Sequence, residues 1–530
     1  MKIDRRKFLS RTAKAAALVT TFGSRLAQGF ALVPLSELAK DPRRPQFHLL
    51  PARNWMNDPN GPIFWKGKYH MFFQYNPNAA VWGDMHWDHA VSTDMIHWKH
   101  LPVALAPTPG GPDTDGCFSG TAVVHNGTPT FIYTGVSKAP PEASTIRDGN
   151  NNFKEVQMYA TSTDPELRTW TKRSTPIIAG PPKEFEFSSI TGFRDPAPWK
   201  QGDTWYMAVG SGIAKKGGMI LLYKSADLQE WEYLHPLISG TVPTGTAVNP
   251  VDSGEMWECP DFFPLGNKHV LIYSTQGKVF WQVGDFDLKE LLFHPQQTGW
   301  LDYGTFYAPK TQTDKSGARI LWGWIPETRP TAEYSASGWA GLMGLPRILT
   351  LGAENRLRIT PAPGLQKLRQ GETKLQLAPA EAGSKIMVSS PSLKNACGEI
   401  LCTVLPTEPF SLDLLNPVEK SEDKTDAKAL ETQASLLSIR YSHANPGELI
   451  VDRQKMPIHL AAGAPLELHL YIDGSIIELF ANNESTYTKR FYYPGGTAPE
   501  IVASITGKTS DISRLTQWQI TPISKDRLTT

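Results

Sequence analysis

The stretch Ser-Thr-Asp-Met-Ile-His-Trp at residues 92–98 returns twice in altered form further along the chain. Ser-Thr-Asp stands again at 162–164 before Trp170, and Ser-Ala-Asp stands at 225–227 before Trp231. The three aspartates are 70 and 63 residues apart, which leaves room for a small sheet with its connections. In a chain of short strands, repetition on this scale is typical of the blades of a β-propeller.

A second set of segments, rich in polar and aromatic residues, alternates with this repeat and predicts the number of blades. In chain order the five segments contain Asn57-Asp58, Cys-Phe-Ser-Gly at 117–120, Phe-Arg-Asp-Pro at 193–196, Trp-Glu-Cys-Pro at 257–260 and Tyr-Gly-Thr-Phe-Tyr-Ala at 303–308. The first strand of each blade lines the propeller axis, so residues of different blades can meet at one end of it. We therefore expect five blades over residues 44–355, with Asp58, Asp195 and Glu258 facing one another.

The character of the sequence changes near residue 356. Prolines and a glycine there predict a linker over residues 356–372. Beyond it, alternating strands at 466–472 and 475–480 are joined through Asp-Gly, a strong hairpin signal, and predict a β-sandwich over 373–525. Charged residues dominate 418–433, where we expect an exposed loop. The predicted fold class is all-β, a five-bladed β-propeller followed by a C-terminal β-sandwich.

The run Asn-Trp-Met-Asn-Asp-Pro-Asn-Gly at 54–61 contains the first candidate for chemistry. Asp58 precedes Pro59, which fixes its own φ and restricts the residue before it, so the main chain aims the Asp58 carboxylate. The same residue types also form ordinary turns, so the run alone leaves both readings open. Three carboxylates, each early in a predicted blade, favour catalysis because isolated carboxylates are normally left in water.

The formal net charge of +1 hides an uneven distribution. Residues 1–31 carry seven Lys and Arg against one Asp, a local charge of +6, which leaves −5 for the remainder. A mildly acidic body without basic runs argues against nucleic acid as a partner, because such binding needs a concentrated positive face.

The basic start resembles a bacterial twin-arginine export signal over residues 1–31. Arg5 and Arg6 precede Phe-Leu, and the apolar run at 15–22 is too short to span a bilayer. An amphipathic N-terminal helix is the alternative. We expect an exported protein, periplasmic or extracellular, whose mature form has no membrane segment.

Only four cysteines occur, at positions 117, 259, 397 and 402, and their spacing is not that of a metal site. We expect neither structural zinc nor a dense disulfide framework. No metal and no cofactor are predicted.

Three segments in this order resemble the signature boxes of glycoside hydrolase family 32, the invertases, levanases, inulinases and fructan exohydrolases. They are Trp-Met-Asn-Asp-Pro-Asn-Gly at 55–61, Phe-Arg-Asp-Pro at 193–196 and Trp-Glu-Cys-Pro-Asp at 257–261. Shorter matches include Phe-Gln-Tyr-Asn-Pro at 73–77, Trp-Gly-Asp at 82–84 and Val-Asp-Arg at 451–453. The resemblance spans nearly all of the chain after the signal, and it implies the same propeller and sandwich.

The resemblance also implies roles for single residues. Asp58 would be the nucleophile and Glu258 the acid/base, while Asp195 would hold fructose hydroxyls and stabilise the transition state. The predicted substrate-binding residues are Trp55, Met56, Asn57, Gln74, Trp82, Phe118, Ser119, Arg194 and Trp339. Glu255 is a rival for the acid, but the Glu-Cys-Pro context favours Glu258.

The chemistry implied is hydrolysis with retention, in which the two carboxyl groups lie about 5–5.5 Å apart. Glu258 then needs a raised pKa, which Trp257, Asp58 and Asp195 could supply, whereas Asp58 needs a low pKa. The predicted function is release of terminal fructose from sucrose or fructans, so the expected partner is a small or polymeric fructose-containing carbohydrate. A fructosyltransferase and a noncatalytic fructan-binding protein are the alternatives. The choice among sucrose, levan and inulin, and the oligomeric state, stay open at this point.

Overall fold

The computed structural model describes residues 32–148, 151–241, 249–374, 385–388, 393–416, 434–442, 444–461, 463–493, 498–508, 511–524 and 526–528. The predicted export signal and the charged loop expected at 418–433 lie outside these residues. Within them, no helix combines the length and the apolar character that crossing a bilayer requires.

Five sheets follow one another in the first part of the described chain, and we number them blades 1 to 5. Blade 1 contains β1 Asn54–Trp65, β2 Lys68–Asn76, β3 His86–Ser92 and β4 Trp98–Leu105. Blade 2 contains β5 Gly116–His125, β6 Thr128–Lys138, β7 Ile146–Asp148, β8 Asn151–Thr161 and β9 Thr171–Lys172. Blade 3 contains β10 Ile190–Gln201, β11 Thr204–Ile213, β12 Gly217–Ser225 and β13 Glu232–Ser239.

Blade 4 contains β14 Glu258–Leu265, β15 Lys268–Thr275, β16 Lys278–Asp287 and β17 Leu292–Trp300. After it come β18 Tyr307–Thr313, β19 Arg319–Ile325, β20 Trp339–Ala340, β21 Leu342–Met343, β22 Arg347–Leu351 and β23 Leu357–Pro361, all of blade 5 except β20. The described helices are short: α1 Leu35–Leu38, α2 Pro250–Ser253 and α3 Thr331–Ser337.

The first strands of the blades form a closed ring. Strand β1 lies beside β5, β5 beside β10, β10 beside β14, β14 beside β18, and β18 beside β1. Strand β20 also pairs with β1 in parallel, and β21 pairs with β19, so one segment ties blade 5 to blade 1. Gly341, between them, has φ +75°, and a Cβ atom there would lie 2.0 Å from the Met56 carbonyl oxygen, so only glycine fits this closure.

The repeated aspartates form turns between the outer strands, as the repeat predicts. Asp94 accepts backbone hydrogen bonds from residues 96 and 97, and Asp164 and Asp227 do the same for residues shortly after them in the chain. In each turn the preceding serine hydroxyl accepts from the aspartate backbone N–H. The repeat therefore shapes the turns at the edge of these blades.

Two further sheets form the sandwich. One has the order β24 Arg369–Lys374, β35 Ile512–Ile520, β26 Cys397–Val404, β31 Leu466–Asp473, β32 Ile476–Ala481 and β33 Ser485–Arg490. The other has the order β25 Lys385–Val388, β34 Val502–Thr506, β27 Phe410–Asn416, β28 Ala434–Tyr441, β29 Glu448–Val451 and β30 Gln454–Pro457. Their apolar faces share one buried core. The structure confirms the predicted five-bladed propeller with a C-terminal sandwich.

The boundary between the domains differs from the predicted linker over 356–372. Strand β23 pairs along its length with β22 and completes blade 5, and β24 already pairs with β35 of the sandwich. Only a short connection with a 3₁₀ turn, Pro363–Leu368, lies between them. The linker prediction was wrong for residues 357–361, where prolines near 361 obscured a strand at the sheet edge, and for residues 369–372, which already belong to the first strand of the sandwich.

A buried network of charges joins the propeller to the sandwich. The guanidinium of Arg347 donates to Asp302 at 2.9 Å and to Glu478 of the sandwich at 2.8 Å. His48, before the first blade, contacts Asp473 at 2.8 Å and Glu478 at 3.0 Å. All five of these side chains are fully buried. The two domains therefore share one polar core.

All four cysteines are free and buried. Cys397 and Cys402 both lie on β26, where the intervening turn that a bridge would need is missing.

Candidate active site

Every innermost strand carries the same irregularity at one end of the ring. In each, one extra residue interrupts the pairing with the second strand, which is the signature of a β-bulge. The residues left unpaired are 57–58, 118–119, 195–196, 259–260 and 308–309. Bulges re-aim side chains next to active sites. The five segments singled out in the sequence are these five bulges.

A directed chain of hydrogen bonds ends on Asp58. Trp55 Nε1 donates to Asn57 Oδ1 at 2.7 Å, and Asn57 Nδ2 donates to Asp58 Oδ1 at 3.1 Å and to the Gln74 side-chain oxygen. Gln74 Nε2 donates to Ser119 Oγ at 2.9 Å, and Ser119 Oγ donates to Asp58 Oδ2 at 2.6 Å. Both oxygens of the Asp58 carboxylate are therefore held, and every donor in the chain points towards it.

The pKa of Asp58 is raised, which corrects the expectation that it stays low. Burial is the largest cause, and the nearby charge of Glu258 raises the pKa further, while hydrogen bonds from Ser119 and Asn57 lower it only in part. The polar chain thus offsets part of the cost of burying a carboxylate.

Asp195 is fixed by its backbone as much as by its side chain. Its φ of +65° is uncommon for a residue other than glycine, and its own N–H donates to Thr134 Oγ1 at 2.9 Å. The backbone N–H of Cys259 donates to Asp195 Oδ2 at 2.8 Å. Burial raises the pKa of Asp195 to about 7, against the opposing effect of Arg194.

Glu258 is held by two donors. Arg194 donates to Glu258 Oε1 from Nη2 at 2.8 Å and from Nε at 3.2 Å. Tyr307 Oη donates to Glu258 Oε2 at 2.7 Å. The Glu258 side chain is 21% exposed, compared with 11% for Arg194 and 4% for Asp195, so Glu258 is the more accessible group.

Cys259 links the three carboxylates. It is the next residue after Glu258 in the chain, its N–H holds Asp195, and its Sγ lies 3.5 Å from Asp58 Oδ2. Burial and the charges of Asp195 and Asp58 raise the pKa of the Cys259 thiol well above its ordinary value, so it stays neutral. Asp58, Asp195 and Glu258, from blades 1, 3 and 4, therefore meet at one end of the ring.

A group of aromatic side chains is joined to this cluster through Trp55, which donates to Asn57. Trp82 and Phe118 contact each other edge to face with ring centroids 5.8 Å apart, and both are half-buried. Trp55 packs against Trp324 at 5.8 Å and against Tyr334 of α3 at 6.0 Å. We call these aromatic side chains the aromatic wall, and the hydrogen-bonded side chains around the carboxylates the polar floor. Flat aromatic faces beside polar groups suit the apolar faces of a sugar ring.

Two matches to known families cover most of the chain. Residues 48–361 match the Glycosyl hydrolases family 32 N-terminal domain, and residues 382–519 match the family described as Glycosyl hydrolases family 32 C terminal. The chain belongs to glycosyl hydrolases family 32. This membership was implied by the three signature segments.

Relatives of this family 32 chain include named enzymes. Sucrose-6-phosphate hydrolase from Zymomonas mobilis subsp. mobilis is 35% identical over 488 residues, covering 83% of this chain and 84% of the relative. Raffinose invertase from Escherichia coli is 37% identical over 365 residues, covering 65% and 70%. The crystal structure of fructan 1-exohydrolase IIa from Cichorium intybus has a TM-score of 0.73 at 27% identity, covering 91% of this chain and 98% of that chain. The family 32 chain is a fructosyl hydrolase of the β-fructofuranosidase type, and its substrate is a fructose-containing carbohydrate.

Two predicted substrate-binding residues lie elsewhere in this family 32 enzyme. Met56 is fully buried in the core of blade 1, among residues such as Leu49 and Met71. Trp339 is also fully buried, with guanidinium groups of Arg329 and Arg44 4.8 and 5.3 Å from its ring centroid. Successive residues of a strand face opposite sides, so neighbours of a site residue commonly face the core.

The other predicted residues are placed around the carboxylates. Asn57, Gln74, Ser119 and Arg194 lie in the polar floor, and Trp55, Trp82 and Phe118 lie in the aromatic wall. Glu255, the rival acid, uses its backbone carbonyl to accept from Thr191 at 2.6 Å. In the described residues, no group of three or more His, Cys, Asp or Glu side chains is arranged to hold a metal ion.

Several site residues of the family 32 enzyme were missed. Tyr307 precedes the bulge of blade 5, as Glu258 precedes that of blade 4, so aligning the five segments would have found it. Trp324 and Tyr334 have no comparable signal. Glu155, which contacts Arg194 at 2.9 Å, lies in the middle of β8, and nothing in the local sequence connects it to the site.

Proposed function

We propose that this family 32 enzyme releases terminal β-D-fructose from sucrose, from fructans or from both, with net retention and through a covalent fructosyl-enzyme. The observation that carries the proposal is the pairing of a fixed carboxylate, Asp58, with an accessible carboxyl group, Glu258, in one cluster. Solved relatives support the substrate class. A point variant of the Cichorium intybus enzyme has been solved with 1-kestose, and a point mutant of a Bombyx mori β-fructofuranosidase with sucrose.

The first chemical step uses the two groups in opposite roles. The Asp58 carboxylate attacks the anomeric carbon of fructose, and the bond from that carbon to the leaving oxygen breaks with its electron pair on the oxygen. Protonated Glu258 gives its proton to the same oxygen. Ser119 and Asn57 aim the nucleophile, since each holds one oxygen of Asp58.

The second step reverses these roles. Glu258, now ionised, takes a proton from water, and the water oxygen attacks the anomeric carbon and displaces the Asp58 carboxylate. Asp195 accepts hydrogen bonds from fructose hydroxyl groups and stabilises the positive charge that develops on the sugar. Two inversions at one carbon give retention.

Methanolysis tests the stereochemistry directly. The purified enzyme is incubated with sucrose in aqueous methanol, and NMR identifies the anomer of the methyl fructofuranoside before the enzyme hydrolyses it. Retention predicts the β anomer, and the α anomer would exclude a fructosyl-Asp58 intermediate. A fructosyl adduct on the peptide that carries Asp58, detected by mass spectrometry after acid quench of the Glu258→Gln variant with an aryl fructofuranoside, whose leaving group needs little protonation, provides the independent check.

Product analysis tests the substrate and the two rival functions. Sucrose, inulin, levan and sucrose 6-phosphate are incubated separately, and products are sized by chromatography. Hydrolysis predicts free fructose from the first time point, a fructosyltransferase predicts longer oligomers, and undiminished binding without turnover indicates a binding protein.

Residues 1–31 are proposed to export the enzyme; changing Arg5 and Arg6 to Lys should retain it in the cytoplasm.

A further inference from the structure

Glu155 is a buried carboxylate that is not itself placed to touch the sugar but is connected to the candidate acid. It lies on β8 of blade 2 without exposed surface. Its Oε1 accepts from Arg194 Nη1 at 2.9 Å. Its Oε2 accepts from Thr145 Oγ1 and from the Phe193 N–H, both at 2.7 Å. Each oxygen is therefore committed to a fixed donor.

Arg194 stands between two carboxylates from different blades. On one side it contacts Glu155 of blade 2, and on the other it donates twice to Glu258 of blade 4. Burial alone lowers the pKa of Arg194, but the charges of Glu155, Glu258 and Asp195 hold it well above its ordinary value. The guanidinium is therefore charged at every working pH.

A charged guanidinium creates a conflict for a general acid. A positive charge at hydrogen-bond distance generally favours the ionised form of a carboxyl group, whereas the first step needs a protonated acid. Glu155 opposes that effect because its carboxylate pairs with the other side of the Arg194 guanidinium and so offsets its positive charge.

We infer that Glu155 is a positioning residue that sets the protonation of Glu258 through Arg194, in a carboxylate–guanidinium–carboxylate chain across blades 2, 3 and 4. This inference rests on the proposed acid/base role of Glu258. The other charged or titratable groups around the pair are Asp58, Asp195, Asp252, Cys259, Tyr307 and Lys310. None of these groups lies between Glu155 and Arg194, which are in direct contact.

The Glu155→Gln variant removes the charge and keeps the size of the side chain. We expect the alkaline limb of the kcat/KM profile on sucrose to move to lower pH by roughly one unit, because Arg194 then acts on Glu258 with less compensation. Above that limb kcat/KM should fall about tenfold. The kcat/KM of the variant on an aryl fructofuranoside should fall much less, because the leaving group of that substrate needs little protonation.

Two controls separate charge from shape. Glu166→Gln removes a carboxylate that pairs with Lys68 at 2.7 Å on a partly exposed edge, and its pH profile should match that of the wild type. The shorter pair Glu155→Asp and Glu155→Asn disturbs the contact equally and differs only in charge. The alkaline limb of the kcat/KM profile should stay in place in the Asp variant and move to lower pH in the Asn variant. This comparison also tests the inference if Glu155→Gln fails to fold.

A titration without turnover separates this inference from the proposed function. Carbon-13 NMR of glutamate carboxyl groups tracks Glu258, assigned by the signal lost in Glu258→Gln, in the wild type and in Glu155→Gln. A lower titration point in the variant supports the charge chain even if sucrose is not a substrate. An unchanged titration point, or a uniform loss of activity with an unmoved alkaline limb, overturns it and leaves Glu155 a structural residue.

Discussion

Ser119 of blade 2 donates a hydrogen bond of 2.6 Å to Oδ2 of Asp58 in blade 1. The contact joins two bulges that occupy the same position in neighbouring innermost strands. A hydroxyl group of blade 2 therefore helps to orient the candidate nucleophile of blade 1. The orientation of the Asp58 carboxylate thus depends on how the two blades pack.

Replacing Ser119 with alanine should make Asp58 harder to ionise, because a hydrogen bond to a carboxylate favours its charged form. We expect kcat/KM to fall about tenfold or more at neutral pH and the acid limb of the profile to move to higher pH. The measurement is kcat/KM between about pH 3 and 8. Ser485→Ala removes a buried 2.6 Å hydrogen bond to Pro457 in the sandwich, and should leave the limb where it is.

The acid limb of the wild-type kcat/KM profile should lie at a higher pH than an ordinary aspartate would give. Burial and the charge of Glu258 raise the pKa of Asp58, and a nucleophile acts only when ionised. Activity should therefore decline as the pH drops through a value above the ordinary aspartate pKa of about 3.9. A limb at or below that value would show that the carboxylate is better solvated than the structure indicates.

Loss of Arg347 should destabilise both domains together. The Arg347→Met variant leaves Asp302 and Glu478 buried without their partner. We expect a loss of about 3–5 kcal/mol in the free energy of unfolding, measured with urea. Arg356→Met, which breaks a largely exposed pair with Glu354, should cost less than about 1 kcal/mol. Similar losses in the two variants would contradict a shared polar core.

His48 should make stability depend on alkaline pH. Burial alone lowers its pKa, but Asp473 and Glu478 raise it to about 9, above the unfolded value of 6.5. Its contribution is therefore complete below pH 6.5 and lost as the pH rises through about 9. The difference is about 3 kcal/mol at most. Urea unfolding between about pH 6 and 10 should show this decline in the wild type, and His48→Gln should flatten it.

The aromatic wall should contribute to sugar affinity. Trp82→Ala should raise KM for sucrose roughly five- to tenfold with a smaller change in kcat, because a ring contact of this kind contributes about 1 kcal/mol. Trp300→Ala is the matched control, since Trp300 is half-buried on the outer strand of blade 4. An unchanged KM in Trp82→Ala would place the sugar away from this wall.

The centre of the candidate site could be predicted from the sequence better than its surroundings could. Asp58, Asp195 and Glu258 could be found because each lies in a short segment whose residue types depend on local backbone geometry. Met56 and Trp339 were misplaced for the opposite reason. Met56 adjoins the motif residue Asn57 and Trp339 pairs with Asn54, but the side of the strand that each faces depends on pairing with another strand.

The sequence alone determined the number of blades, the order of the two domains and the three carboxylates. The reason is that turn aspartates and bulge segments can be recognised from a few neighbouring residues and recur along the chain. Tertiary structure decided which side chains face the site. The extra residue in each innermost strand reverses the facing of the residues after it, and partners such as Glu155 and Arg194 meet only when blades pack side by side. Contacts between blades result from the closure of the ring, which no local pattern encodes.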